Sequence, residues 1–353
     1  MKIIKLLTFS LLVVIIVFSG CSNKTNSSRK PVTNIQIAPS NNTVEWGNDF
    51  TIFLDSKIKN LKIKKIELFI NNQLIKSSNQ LKFDVTLDSK NFLPGNHQIK
   101  VVATKEDGEI GINNATILIT SDIKPQVQHY KIIGTLPHNP QYFTEGFEFY
   151  DDRLFEGTGN NGSSIIASYN PNNKKVYNSL SINNEYFGEG ITILKNKIYQ
   201  LTYKNKLGFI YDVNTFKKIG EFNFDSQEGW GLTNDGKNLI MSDGTSKIYY
   251  IDPVSFKRIK SIEVCDKNGT ISNINELEYV DGIIYSNVWM TETILKIDAN
   301  TGKVLAYINM NGLQNQFNKS SIDVLNGIAY NKKEDLFYVT GKYWPKIFKV
   351  KFE

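Results

Sequence analysis

The sequence predicts an all-β protein in two parts, a small β-sandwich followed by a five-bladed β-propeller. Three observations carry this reading. Between Pro31 and Ser121, short runs of alternating apolar and polar residues recur between Asn, Gly and Asp turns. Beyond Gln126 a four-strand unit recurs five times. The last unit lacks its fourth strand, and a spare strand-like segment stands ahead of the first unit.

The alternating runs of the first part are residues 34–37, 50–54, 65–70, 81–85, 97–103 and 114–119. Six or seven short strands in a stretch of this length fit a sandwich. The stretch from Leu93 through Pro94 and Gly95 to Val101 resembles the late hairpin of bacterial Ig-like modules. Such modules serve as spacers or binding modules, and nothing in residues 31–121 looks catalytic. Residues 122–129 read as a linker.

In the second part the innermost strand of each unit is marked by a short motif. These are Thr144-Glu145-Gly146-Phe147, Gly188-Glu189-Gly190-Ile191, Gly229-Trp230-Gly231-Leu232, Asn275-Glu276-Leu277 and Leu325-Asn326-Gly327-Ile328. Aligning Glu145, Glu189, Trp230, Asn275 and Asn326 gives spacings of 44, 41, 45 and 51 residues, the period of a propeller blade. Second strands follow at 154–156, 198–201, 239–241, 284–286 and 336–339, and third strands at 165–167, 208–211, 248–251, 294–297 and 347–350. Third strands run into Asp/Asn turns such as Asp212-Val213-Asn214-Thr215 and Asp298-Ala299-Asn300-Thr301. Fourth strands are expected at 176–178, 218–222, 258–262 and 304–308. The orphan segment 130–136 looks like a fourth strand and is expected to close the last blade, which removes an exposed sheet edge. The propeller domain is thus 130–353.

The N-terminus reads as an address. Lys2 and Lys5 precede a mostly apolar run from Leu6 to Phe18, too short to span a bilayer comfortably and suited to a signal peptide. Phe18-Ser19-Gly20-Cys21 then resembles a bacterial lipobox, although Phe18 is an uncommon residue there. In such signals the Cys thiol receives a diacylglyceryl group and the Cys becomes the new N-terminus. Residues 1–21 are therefore expected to be a lipoprotein signal with Cys21 as its lipidation site, and 22–30 a polar tether. The protein would be extracytoplasmic and membrane-anchored through Cys21. The only other cysteine, Cys265, is then left without a disulfide partner and reads as structural.

The net charge of +6 is spread along the chain with no basic arm, which speaks against nucleic-acid binding. The three histidines, His97, His129 and His138, have no zinc-ligand spacing, so metal catalysis is disfavoured. The inner strands of a propeller line a channel, and the aligned positions Glu145, Glu189, Trp230, Asn275 and Asn326 should meet at its mouth. Second strands and the loops after them bring Tyr203, Trp289 and Lys342. Aromatic walls around a few polar groups describe a pocket for a small molecule or a peptide end.

Six ordered motifs give the chain a family likeness. Tyr186-Phe187-Gly188-Glu189-Gly190, Gly229-Trp230-Gly231-Leu232, Ser242-Asp243-Gly244-Thr245, Asn275-Glu276-Leu277-Glu278-Tyr279, Asp323-Val324-Leu325-Asn326-Gly327-Ile328-Ala329 and Thr340-Gly341-Lys342-Tyr343-Trp344-Pro345-Lys346 resemble the plant-type and bacterial glutaminyl cyclases over about residues 130–353. The resemblance implies conversion of N-terminal glutamine of peptides and proteins to pyroglutamate with release of ammonia. It implies Glu189 as the acid/base residue and Asn275 and Lys342 as polar catalytic residues. It also implies Phe143, Glu145, Phe187, Tyr203, Trp230 and Trp289 as substrate-binding residues. Glu145 stands where relatives often carry Gln, and Tyr203 where Trp is common. No cofactor is expected for catalysis; the plant-type enzymes imply a structural calcium in the channel. A monomer is expected, since the propeller closes on itself. The competing reading is a non-catalytic surface binding module on the same fold.

Overall fold

A computed structural model describes residues 29–59, 62–173 and 175–353. The signal segment and Cys21 lie outside the described residues. The described residues are all-β, with seven sheets and three single-turn 3₁₀ helices at Ser89–Asn91, Gln314–Gln316 and Lys319–Ser321. Among the described residues no helix is long and apolar enough to cross a membrane.

Two sheets form the first part. One joins Val32–Ala38, Asp49–Lys57 and Lys82–Asp88, and the other orders Thr43–Glu45, Ile110–Thr120, Gly95–Lys105, Ile63–Ile70 and Gln73–Ser78. They share one core, in which Phe50, Ile52, Leu54, Ile66, Leu68, Ile99, Val101 and Ile117 are buried. The alternation of the sequence is the cause. Along Asp49–Lys57 every second side chain is buried, and a strand's side chains point alternately to its two faces.

Five sheets form the second part, each built on four strands from inside to outside, which follow chain order in all but the fifth. Their innermost strands are Thr144–Tyr150, Gly188–Leu194, Leu232–Asn234, Ile274–Val280 and Leu325–Asn331. Each touches the next, and the fifth touches the first, so the inner strands form a closed cycle. The fifth sheet takes its outer strand, Tyr130–Pro137, from ahead of the first; it pairs antiparallel with Lys346–Phe352. The segment expected as a linker contributes Gln126–Gln128, which adds in parallel to the outer edge of the fourth sheet at Val304–Asn309.

Glycine explains how closely the inner strands approach. A Cβ on Gly146 would come within 2.4 Å of the Ile191 nitrogen, one on Gly190 within 2.5 Å of the Leu232 nitrogen, and one on Gly231 within 2.1 Å of the Asn275 carbonyl oxygen. Each glycine follows an aligned site position, so the repeat of that residue pair records backbone contact. The fourth unit breaks the pattern with Glu276. Its fully buried carboxylate accepts the Phe147 N–H at 3.3 Å and the Ile328 N–H at 2.8 Å, tying the fourth inner strand to the first and fifth.

The two parts are joined by specific contacts. The Glu263 carboxylate accepts the Asn96 backbone N–H at 2.8 Å and its side-chain amide at 3.1 Å. Lys303 pairs with Asp122 at 2.7 Å and lies over the Trp46 ring. Cys265 is buried at this seam, its thiol directed at the Ile119 and Asp266 carbonyls. Burial pushes that thiol up to about 11, which leaves it an unreactive packing residue.

Candidate active site

Four of the five aligned positions sit where the inner strands slip register. The first strand pair breaks its pairing between Thr144 and Gly146, the second between Gly188 and Ile191, the fourth between Ile274 and Leu277, and the fifth between Leu325 and Ile328. A bulge re-aims the extra side chain. Glu145, Glu189, Asn275 and Asn326 each lie inside one of these slips.

Glu145 and Lys342 form a buried ion pair, Nζ to Oε1 at 2.7 Å. The other Glu145 oxygen accepts the Asn326 side-chain amide at 3.1 Å, and that amide also donates to the Thr144 carbonyl at 2.9 Å. Lys342 lies 4.3 Å from the centroid of the Phe143 ring, so the cation is shared between a carboxylate and an aromatic face. Burial pushes the Glu145 carboxyl up to about 7, against the pull of Lys342.

Glu189 is 6 % exposed, and its carboxylate takes no hydrogen bond from any other described residue. Burial holds it well above the usual carboxylate range, the Glu145 carboxylate adds to this, Lys342 opposes it, and Glu228 raises it again. A buried carboxyl with a raised proton affinity and free lone pairs suits proton transfer to and from a bound molecule. Asn275 is buried on the fourth inner strand; its carbonyl accepts the Ser242 hydroxyl at 2.7 Å, which anchors the backbone beneath its side chain.

Two aromatic walls accompany these groups. Phe143, Phe187 and Tyr203 form one chain of ring contacts, with centroids 6.0 and 5.7 Å apart, and Tyr343 packs edge-on against Phe143 at 5.1 Å. Gly159 leaves room for this wall, since a Cβ there would come within 2.4 Å of the Phe187 ring. Trp230 and Trp289 form the other wall, edge-on at 5.7 Å. Trp344, in the same sequence motif as Lys342, is instead fully buried core, its indole N–H donating to the Asp323 carbonyl at 2.8 Å. Glu228, which no repeat position marks, accepts the Trp230 indole N–H at 2.9 Å.

Farther along the inner strands lies a second group of carboxyls. Glu148 accepts the Thr192 hydroxyl at 2.6 Å and the Ile193 N–H, and Glu278 accepts the Tyr330 N–H at 2.7 Å. Burial pushes Glu148 up to about 8 and holds Glu276 and Glu278 well above the carboxylate range. These carboxyls already serve protein donors. Among the described residues no three or more His, Cys, Asp or Glu side chains are grouped to hold a metal ion. No ligand set for the expected channel calcium is seen among them.

A family model described as glutamine cyclotransferase matches residues 110–352. An Arabidopsis thaliana protein named glutaminyl-peptide cyclotransferase is 35 % identical over 237 residues, covering 66 % of this chain and 74 % of the relative. The solved structure of Myxococcus xanthus glutaminyl cyclase superposes with a TM-score of 0.60 at 28 % identity, covering 65 % of this chain and 99 % of that one.

Proposed function

Because the chain belongs to the glutamine cyclotransferase family, we infer that it is a glutaminyl-peptide cyclotransferase, converting N-terminal glutamine to pyroglutamate with release of ammonia. The observation that carries the chemistry is Glu189: a buried carboxyl of raised proton affinity, without a protein hydrogen-bond partner among the described residues, beside a lysine–glutamate pair.

In the reaction the substrate α-amine forms a bond to its own side-chain carboxamide carbon, and the bond from that carbon to the amide nitrogen breaks. Glu189 takes the proton that the attacking amine loses and passes it to the departing nitrogen, which leaves as ammonia. Oxyanion charge develops on the carboxamide oxygen between these steps. Lys342 and Asn275 are assigned to that oxygen, a role that fixed donors in a dry site perform well. The pair with Glu145 and the Phe143 ring use part of the ammonium's capacity and fix its direction, leaving one N–H for substrate. Phe143, Phe187, Tyr203, Trp230 and Trp289 hold the flexible glutamine side chain folded toward its own amine, which supplies the entropic part of the rate. Glu145, its carboxylate committed to Lys342 and Asn326, acts on substrate through Lys342.

We assign the five cyclic sheets as the blades of a five-bladed propeller closed by Tyr130–Pro137, and residues 31–121 as an Ig-like sandwich that serves as a spacer. The N-terminal motif supports a lipoprotein tethered through Cys21 on the extracytoplasmic side. The test is mass spectrometry of a peptide with N-terminal Gln. Loss of one ammonia from that peptide, and none from the same peptide with N-terminal Asn, is expected; an unchanged Gln peptide overturns the assignment.

A further inference from the structure

Glu228 lies two residues before Trp230, on the approach to the third inner strand, and its two oxygens face different side chains. Oε2 accepts the Trp230 indole N–H at 2.9 Å. Oε1 is 3.5 Å from the Lys204 ammonium, which covers the Tyr203 ring at 4.5 Å. Trp230 meets Trp289 edge-on, and on another side it fills space left by Gly244, where a Cβ would come within 2.6 Å of the indole. Gly244 also has a φ of +78°, so the backbone there independently favours glycine. The indole is thus held by one hydrogen bond and one ring contact, and it packs where a side chain at position 244 would stand. Lys204 is largely exposed and its ion pair contributes little. The bond to the indole is therefore the main constraint.

We propose that Glu228 is a positioning residue of the glutamine pocket: it fixes the Trp230 indole as the wall against which the substrate side chain folds. This rests on the cyclase reading of the same site. A second effect concerns charge. Glu189 is influenced by the Glu145 carboxylate from the first sheet, the Lys342 ammonium from the fifth and the Glu228 carboxylate from the approach to the third. Removing the Glu228 charge lowers the proton affinity of Glu189, so the pH profile of kcat/KM moves to lower pH.

The two roles separate in the full-length chain by steady-state ammonia release from an N-terminal-Gln peptide across pH, with melting temperature as the check on folding. Glu228→Gln keeps an acceptor for the indole; it should hold KM within about twofold of the parent while its pH profile moves down. Glu228→Ala loses the acceptor, and kcat/KM should fall about tenfold, the usual order for one hydrogen bond to a charged group. In a Trp230→Phe background, which has no indole N–H, adding Glu228→Ala should cost less than about twofold more. An active parent with an equally active Glu228→Ala variant overturns the positioning role, as does an equal loss in both backgrounds. An unmoved pH profile in Glu228→Gln overturns the effect on Glu189. An inactive parent overturns the cyclase reading, and this inference with it.

Discussion

At the scale of single residues, three charged side chains set one another's behaviour. Lys342 pulls down the proton affinity of both Glu145 and Glu189, while burial raises both. Replacing Lys342 by Met removes the cation and leaves two carboxyls in a dry site. Their proton affinities must rise further, so the acidic limb of any remaining activity moves to higher pH. Losing an oxyanion donor should also cost kcat about 10²–10³-fold. A pH–rate profile of Lys342→Met checks both, and a limb displaced to lower pH contradicts the electrostatic account. That Glu189 and Asn275 hold equivalent places on inner strands was legible in the sequence because the repeat aligns them, and a motif drew attention to Lys342. Glu228 was not legible. It sits off the aligned position, in a polar approach to a strand, and only the indole N–H that it accepts distinguishes it from a surface acid. The partnership of Glu145 with Lys342 was hidden too, because 197 residues separate them.

At the scale of elements, the inner strands are held by glycine contacts and by carboxyl clamps. Glu276 is the odd member of the repeat, and its two backbone bonds replace what a glycine contact does elsewhere. Glu276→Ala leaves two buried N–H groups unpaired at about 1–3 kcal/mol each. For a domain of this size that lowers the melting temperature by roughly 5–15 °C. Glu276→Gln, which keeps an acceptor oxygen, should lose less. Calorimetry of the two variants checks the order, and equal losses would contradict the clamp. Strands whose side chains alternate were readable, as along Asp49–Lys57. Gln73–Ser78 was not: its residues are exposed or half-buried throughout, so no period-2 pattern marks it. The third inner strand, Leu232–Asn234, is three residues long and was visible only through its repeat partners. The parallel strand Gln126–Gln128 read as a linker because three polar-flanked residues carry no pairing signal.

At the scale of the whole molecule, the inner strands concentrate carboxyls that hold protons when folded. Glu145 and Glu148 keep theirs to about 7 and about 8, whereas unfolded glutamate loses its proton near roughly 4.3. Between those values the folded chain binds more protons than the unfolded chain. Stability is therefore greatest at the acid end of that window and is lost as pH rises through the folded values. The melting temperature should decline from about pH 5 to pH 8, and Glu148→Gln, which has no proton to give up, should flatten the decline. An equally steep decline in that variant would contradict the assignment. The closed cycle of sheets was readable from a missing strand at one end and a spare one at the other; the seam with the first part was not, because Glu263–Asn96 and Lys303–Asp122 join residues with no shared pattern. The central claim is that Glu189 moves the proton in cyclisation, and ammonia release from an N-terminal-Gln peptide by the parent and by Glu189→Gln tests it most directly. The account predicts an active parent and a folded variant slowed about 10²–10⁴-fold. A folded Glu189→Gln variant that releases ammonia at the parent rate would contradict it.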